Sequence, residues 1–221
     1  MTPNESPNET QSPAETQELA VREPSSSSQL VELKEKIYEK SPLGSPLRQG
    51  EIITNLIQLK AAVSSLSTEE PEIIPVVHPY AIVVTQDCEL VQDFKPRSEG
   101  NLESDKIIPS VLFCQVVTAE QLRGRADIKS DIWKRIKQNK DERYQFLEKV
   151  LREDDTLNEG LPELSIDFKR YFTLPTDEVY FRLEVEAKRR SRLRSPYMEH
   201  LSSRFYYFQC RVALPADHRS E

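Results

Sequence analysis

Apolar residues along this chain gather in short runs separated by polar, proline-rich stretches. QLVELKEKIYEK (29–40) places Leu30, Leu33 and Ile37 on one helical face behind a serine run that can cap it, and predicts a short helix. Ser41-Pro42-Leu43-Gly44-Ser45-Pro46 breaks that helix, so residues 29–46 read as helix and linker. Gly50 then opens a strand carrying Ile52, Ile53, Leu56, Ile57 and Leu59, and residues 62–76 read as a loop. Residues 80–85, YAIVVT, form a second strand whose β-branched run predicts burial on both faces. The cluster Thr85-Gln86-Asp87-Cys88-Glu89 reads as the rim where that strand leaves the fold, and residues 91–106 as a polar loop.

A third strand spans 107–117, with Pro109 and Ser110 marking its start or a bulge. Thr118 caps a helical turn through Leu122, which Gly124 ends. Ser130-Asp131 opens a helix with Ile132, Trp133 and Ile136 at helical spacing, stopped by a turn at Asn139-Lys140-Asp141. Residues 143–150 and 177–186 fit either element type, whereas 164–175 alternate Leu164, Ile166 and Phe168 with polar residues as a strand closed by Pro175. Ser195-Pro196 starts a final helix whose stripe of Tyr197, Leu201, Phe205, Phe208 and Val212 predicts about four turns. Leu214-Pro215 stops it, and 216–221 read as a frayed tail.

Strands here are not regularly separated by crossover helices, which predicts a mainly β fold with α additions, a small and partly open β-barrel with inserted and C-terminal helices. Its core would be 47–186, followed by a basic segment and helix over 187–215.

Composition sharpens this in one place. Residues 1–28 hold five Glu, one Arg and few large apolar side chains, so they predict a disordered acidic tail that carries much of the net charge of −7. The N-terminus has no basic start followed by an apolar core, and no apolar run reaches the roughly 18–20 residues of a membrane span. Cys88, Cys114 and Cys210 are scattered and lack a Cys-x-x-Cys spacing. They predict reduced structural thiols in a cytoplasmic protein, with no metal site and no cofactor.

Two constellations could carry chemistry. In TQDCE, Cys88 sits between acids that oppose a thiolate, and His78 lies ten residues away along an extended chain. The basic run KRRSRLR (188–194) concentrates Lys188, Arg189, Arg190, Arg192 and Arg194, with Tyr197, Phe205, Tyr206, Tyr207 and Phe208 following. Arginine forks bind phosphates and aromatic rings stack on unpaired bases, so the run predicts contact with RNA or single-stranded DNA. The same residues fit a solvated face pairing with Glu184 and Glu186 above a core of aromatics, or a protein partner. No Gly-rich phosphate loop, G-x-S-x-G or H-E-x-x-H is present.

Gln49-Gly50-Glu51-Ile52 and His78-Pro79-Tyr80-Ala81-Ile82-Val83-Val84-Thr85 resemble the first turn and next strand of the MazF/PemK-like toxins, across about 40 residues. RLRSPYMEHLSSRFYYFQCRVALP resembles the tail of uncharacterised bacterial proteins that join such a barrel to a final helix. The resemblance implies an SH3-like barrel, and toxins of that family cut RNA. The family's arginine before proline falls at His78, its aspartate at Glu51, and Tyr80 is an extra residue. Histidine can move protons but cannot supply arginine's permanent bidentate charge. The expectation is therefore a non-catalytic bacterial accessory protein, in a toxin–antitoxin or defence context, that contacts nucleic acid or a protein from the same operon. The alternatives are a divergent endoribonuclease using His78, Thr85 and Glu51, and a purely structural interaction module.

Overall fold

The computed structural model describes residues 36–67 and 69–210. The expected acidic tail (1–28), the start of the first expected helix, Val212 and the expected frayed end lie outside the described residues.

Among the described residues seven strands form one antiparallel sheet: β1 (Tyr38–Lys40), β2 (Glu51–Ala61), β3 (Ile73–Val83), β4 (Ser110–Thr118), β5 (Tyr144–Leu147), β6 (Leu164–Pro175) and β7 (Lys188–Leu193). Their order is β1-β7-β2-β3-β4-β6-β5, so β1 and β5 are edges and the sheet does not close. Five α-helices complete the described part: α1 (Asp87–Ser98), α2 (Ala119–Arg123), α3 (Ser130–Lys137), α4 (Thr176–Val185) and α5 (Tyr197–Gln209). The expected mixture of antiparallel strands with inserted and C-terminal helices is observed, and both ambiguous stretches resolve, 144–147 as strand and 176–185 as helix.

Strand alternation sorts the apolar residues onto two faces. Ile52, Ile82, Val84, Cys114, Ile166, Phe168 and Leu193 enter one cluster, sealed by Leu201 of α5 with Tyr197, Phe205 and Phe208 against it. Ile53, Ala81, Val83, Val111, Phe113 and Leu174 enter a second, covered by Leu90 of α1 and Val179 of α4. The run around 81–84 is thus buried on both faces, as its β-branched composition predicts. A third cluster joins Leu122 of α2, Ile136 of α3 and Tyr144 and Phe146 of β5. The capping box at Thr118, reciprocated by Gln121, starts α2 where expected.

Several expectations fail for identifiable reasons. Tyr38–Lys40 is a strand, because pairing with β7 (Tyr38↔Leu193) overrides a weak helical pattern. The expected loop over 62–76 gives up its end to β3, where Ile73 pairs with Ala61. TQDCE is not merely a rim: Gln86 is the N-cap of α1, with Asp87 and Glu89 in its first turn and Lys95 and Arg97 in its last, all favourable to the helix dipole. This helix occupies much of the expected 91–106 loop, and it buries only Leu90 and Asp93, which is why no apolar stripe announced it. Pro79 has no N–H for the β2–β3 ladder, and Asn55 across from it leaves the register with φ of 61°. The basic run, expected as a segment outside the barrel core, is β7 and lies between β1 and β2.

Candidate nucleic-acid interface

The guanidiniums of β7 are largely engaged inward. Arg189 donates to both oxygens of Glu51, with Nη2 to Oε2 at 2.9 Å, and also to the Ser45 and Pro46 carbonyls at 2.7 and 2.9 Å. Arg190 forks onto Asp155 at 2.9 and 2.8 Å and reaches the Gly160 carbonyl at 3.1 Å. Both arginines are less than 10% exposed. Adjacent strand residues ordinarily face opposite ways, but the register of β2 with β7 jumps from Ile52↔Ser191 to Ile53↔Arg189, leaving Arg190 as an extra residue in a bulge that re-aims its side chain. Arg192 forms a 2.9 Å ion pair with Glu39, and only Lys188 and Arg194 of the run are exposed. The expected partners Glu184 and Glu186 are not those of the run, since Glu186 pairs with Arg182 at 2.8 Å.

Glu51, His78 and Thr85 do not converge. Glu51 is fully buried under Arg189, and its Oε2 also accepts from the Arg48 N–H at 3.1 Å. His78 pairs across the ladder with Leu56, five positions along β2 from Glu51 and roughly 17 Å away on an extended strand. Its ring stacks on Phe172 with centroids 3.8 Å apart, Nε2 lies 3.4 Å from Gln58 Oε1, and Nδ1 is buried without a partner. Burial, helped by the nearby charge of Lys60, lowers its pKa and favours the neutral imidazole. The Thr85 hydroxyl accepts from the Leu112 N–H at 2.7 Å, two residues beyond the C-terminal end of β3.

The outward-facing positive charge lies elsewhere. Residues 123–140 hold seven Lys or Arg against two Asp. On α3, Ile136 is buried and Ile132 and Trp133 are half-buried, while Lys134, Arg135 and Lys137 are exposed, as are the flanking Lys129 and Lys140. Trp133 packs edge-on against Phe146 at 6.2 Å, and the Arg123 guanidinium sits 5.9 Å from its indole. The expectation of charge over aromatics at 188–194 overlooked this stretch because its cations are spread over eighteen residues instead of forming a run. Helical spacing, not adjacency, was the available signal.

A cleft of about 480 Å³ adjoins this surface through Lys137 and opens between the two sheet edges, β1 and β5. It exists because the free edge of β5 is covered by side chains, not by another strand. Asn139 accepts from the Phe146 N–H at 2.7 Å and donates to its carbonyl at 3.2 Å. Arg204 of α5 donates to the Tyr144 carbonyl at 2.9 Å, and the Tyr38 hydroxyl of β1 donates to the Glu148 carbonyl at 2.7 Å. Side chains that satisfy an edge in this way protect it from pairing with another chain. Leu147, Leu193 and Tyr197 line the cleft with Lys137, Lys149 and His200. Gln145 also lines it, is 3% exposed, and has a buried Oε1 with no partner.

No group of three or more His, Cys, Asp or Glu capable of holding a metal occurs among the described residues, and no described helix is long and apolar enough to cross a membrane. No protein-family model, curated protein or solved structure matches the chain.

Proposed function

We propose that the chain is a non-catalytic, cytoplasmic accessory protein that binds single-stranded nucleic acid, and that its sheet is a divergent, partly open SH3-like barrel. The barrel reading is supported by the approach of the two edges, joined by the Tyr38 hydroxyl on the Glu148 carbonyl although no backbone pairing links β1 to β5. The non-catalytic reading is supported by the separation of His78, Glu51 and Thr85 and by the engagement of Glu51 with Arg189.

The observation that carries the binding reading is the exposed basic face of α3 with Lys129 and Lys140, adjoining a cleft of base-accepting size. It favours 123–140 over 188–194 as the interaction surface, because phosphates need cations that reach solvent and, of the run 188–194, Arg189 and Arg190 do not while Lys188 and Arg194 do. A MazF/PemK-like ancestry fits this reading if the RNA-facing role outlived the cleavage chemistry.

Fluorescence anisotropy with a labelled single-stranded RNA tests the proposal. Affinity should fall steeply as salt rises, and Lys134→Glu with Lys140→Glu should weaken it at least tenfold, while Arg189→Met should act only through stability. Binding that ignores salt, or ignores the double charge reversal, would overturn the reading. Recovery of a protein and no nucleic acid in a pulldown would favour an interaction module.

A further inference from the structure

Resting on the nucleic-acid reading above, we propose that the cleft between β1 and β5 receives one unstacked nucleobase of the bound strand, and that Gln145 Oε1 accepts from the exocyclic amino group of that base. Native proteins leave few buried polar atoms unpaired, so each such atom needs a reason. Gln145 lines the cleft, and its Oε1 is buried without a partner. Two neighbouring polar side chains are already committed: both amide atoms of Asn139 serve Phe146, and the Tyr38 hydroxyl serves Glu148. What is missing at Gln145 is a donor.

That requirement selects the chemistry. A bare phosphate or carboxylate offers only acceptors and would be repelled by Oε1. A nucleobase offers an N–H donor on a flat, apolar body, and the strand that carries it supplies negative charge next to the donor. The cleft matches each part. Its volume of about 480 Å³ falls in the range of small-molecule sites, about 300–1,000 Å³. Leu147, Leu193 and the Tyr197 ring line it for the base; Lys149 and Lys137 stand beside it for the flanking phosphates, with Glu148 and Glu163 on the same wall and Lys137 3.8 Å from Glu163. Splayed bases of single strands are read in this way, by stacking and by hydrogen bonds to their edges.

The donor geometry also predicts a preference. Adenine and cytosine project an amino group from the Watson–Crick edge. The only edge donor of uracil is an imino N–H flanked by two carbonyl oxygens, whose lone pairs face Oε1. The site should therefore prefer adenine or cytosine over uracil.

Labelled eight-nucleotide oligo(A), oligo(C) and oligo(U) RNA, compared by anisotropy at one salt concentration, test this with the full chain. The wild type should bind oligo(A) and oligo(C) about fivefold more tightly than oligo(U), the worth of roughly one hydrogen bond. Gln145→Leu should abolish that difference and leave oligo(U) binding unchanged. This variant deletes an acceptor that has no partner, so the fold should tolerate it, and Gln145→Met provides a second test. Equal binding of all three RNAs by the wild type, or a preference that survives both substitutions, would overturn the cleft assignment while leaving the α3 interface standing. Absence of salt-dependent binding to any of them would overturn both.

Discussion

Arg189 of β7 holds Glu51 of β2 through both carboxylate oxygens, and neither side chain has appreciable access to solvent. A charge taken out of water is costly unless its partner stays in place, so the two residues are worth much more together than apart. Their position also explains why a segment so rich in arginine can lie within a sheet: its charges meet acids supplied by β2 and by the loop before β6.

Removing one partner should therefore destabilise the fold strongly. Arg189→Met leaves Glu51 buried without its counter-charge and should cost about 3–5 kcal/mol, seen as a lower urea midpoint with an unchanged slope. The double variant Arg189→Met with Glu51→Leu should recover most of that loss. If the single and double variants are equally unstable, the pair is not the unit that holds β7 to β2.

Acid should release a second pair. Burial pushes the Asp155 carboxyl up, but the fork of Arg190 and the N–H groups of Gly160 and Glu159 outweigh it and hold the pKa below the ordinary carboxylate value. A group depressed in the folded state contributes stability that is complete above its unfolded pKa, about 3.9, and disappears as pH falls through the folded value. The wild type should thus lose stability below about pH 4. Asp155→Asn should be weaker at pH 7 and show a flatter acid limb, as read by denaturation at each pH. Gly160→Ala should also destabilise, since φ there is +80° and a Cβ would lie 2.9 Å from the Val150 carbonyl.

The strands were legible where pattern and pairing agree. Ile52, Ile53, Ile82 and Val83 are β-branched, sit beside turn residues and fall on both faces of a covered sheet, so local preference and tertiary context point the same way. The α1 helix was not legible, because its principal buried polar group, Asp93, is held by Arg97 at 2.7 Å and by the Ile108 N–H at 2.8 Å, partners that no periodicity displays. The site misled for a related reason. Consecutive arginines look like a surface, yet the acids that turn Arg189 and Arg190 inward lie 138 and 35 residues away in sequence. Gln145 was silent in the sequence, since only three-dimensional packing leaves its oxygen without a donor.

His78 separates the catalytic from the non-catalytic reading. Its ring stacks on Phe172, and burial first, then Lys60, favour its neutral form. Protonation should therefore oppose folding: stability is full above about pH 6.5 and declines as pH falls below that value. His78→Phe keeps the stacked ring and removes the unpartnered Nδ1, so its melting temperature should equal or exceed that of the wild type, with the decline near pH 6 reduced. Mixed RNA incubated with either protein should remain intact. RNA cleaved by the wild type and spared by His78→Phe would establish the endoribonuclease instead.

Arg204 ties α5 to the cleft without a counter-ion fork. Its guanidinium donates to the carbonyls of Asn139, Asp141 and Tyr144 and lies 5.9 Å from the Phe168 ring. Burial lowers its pKa, and Asp141 only partly offsets this, so the contact depends on the planar array of donors more than on charge pairing. Lysine keeps the charge but cannot hold three carbonyls at that spacing. Arg204→Lys should cost about 2–3 kcal/mol, and hydrogen exchange should quicken at Tyr144–Leu147 before it does in β2 or β3, because the edge strand loses a side chain that covers it. The same variant should weaken any oligo(A) preference over oligo(U), since Gln145 lies on the strand that Arg204 steadies. Uniform loss of protection across the sheet would show that Arg204 supports the fold as a whole and not the β5 edge.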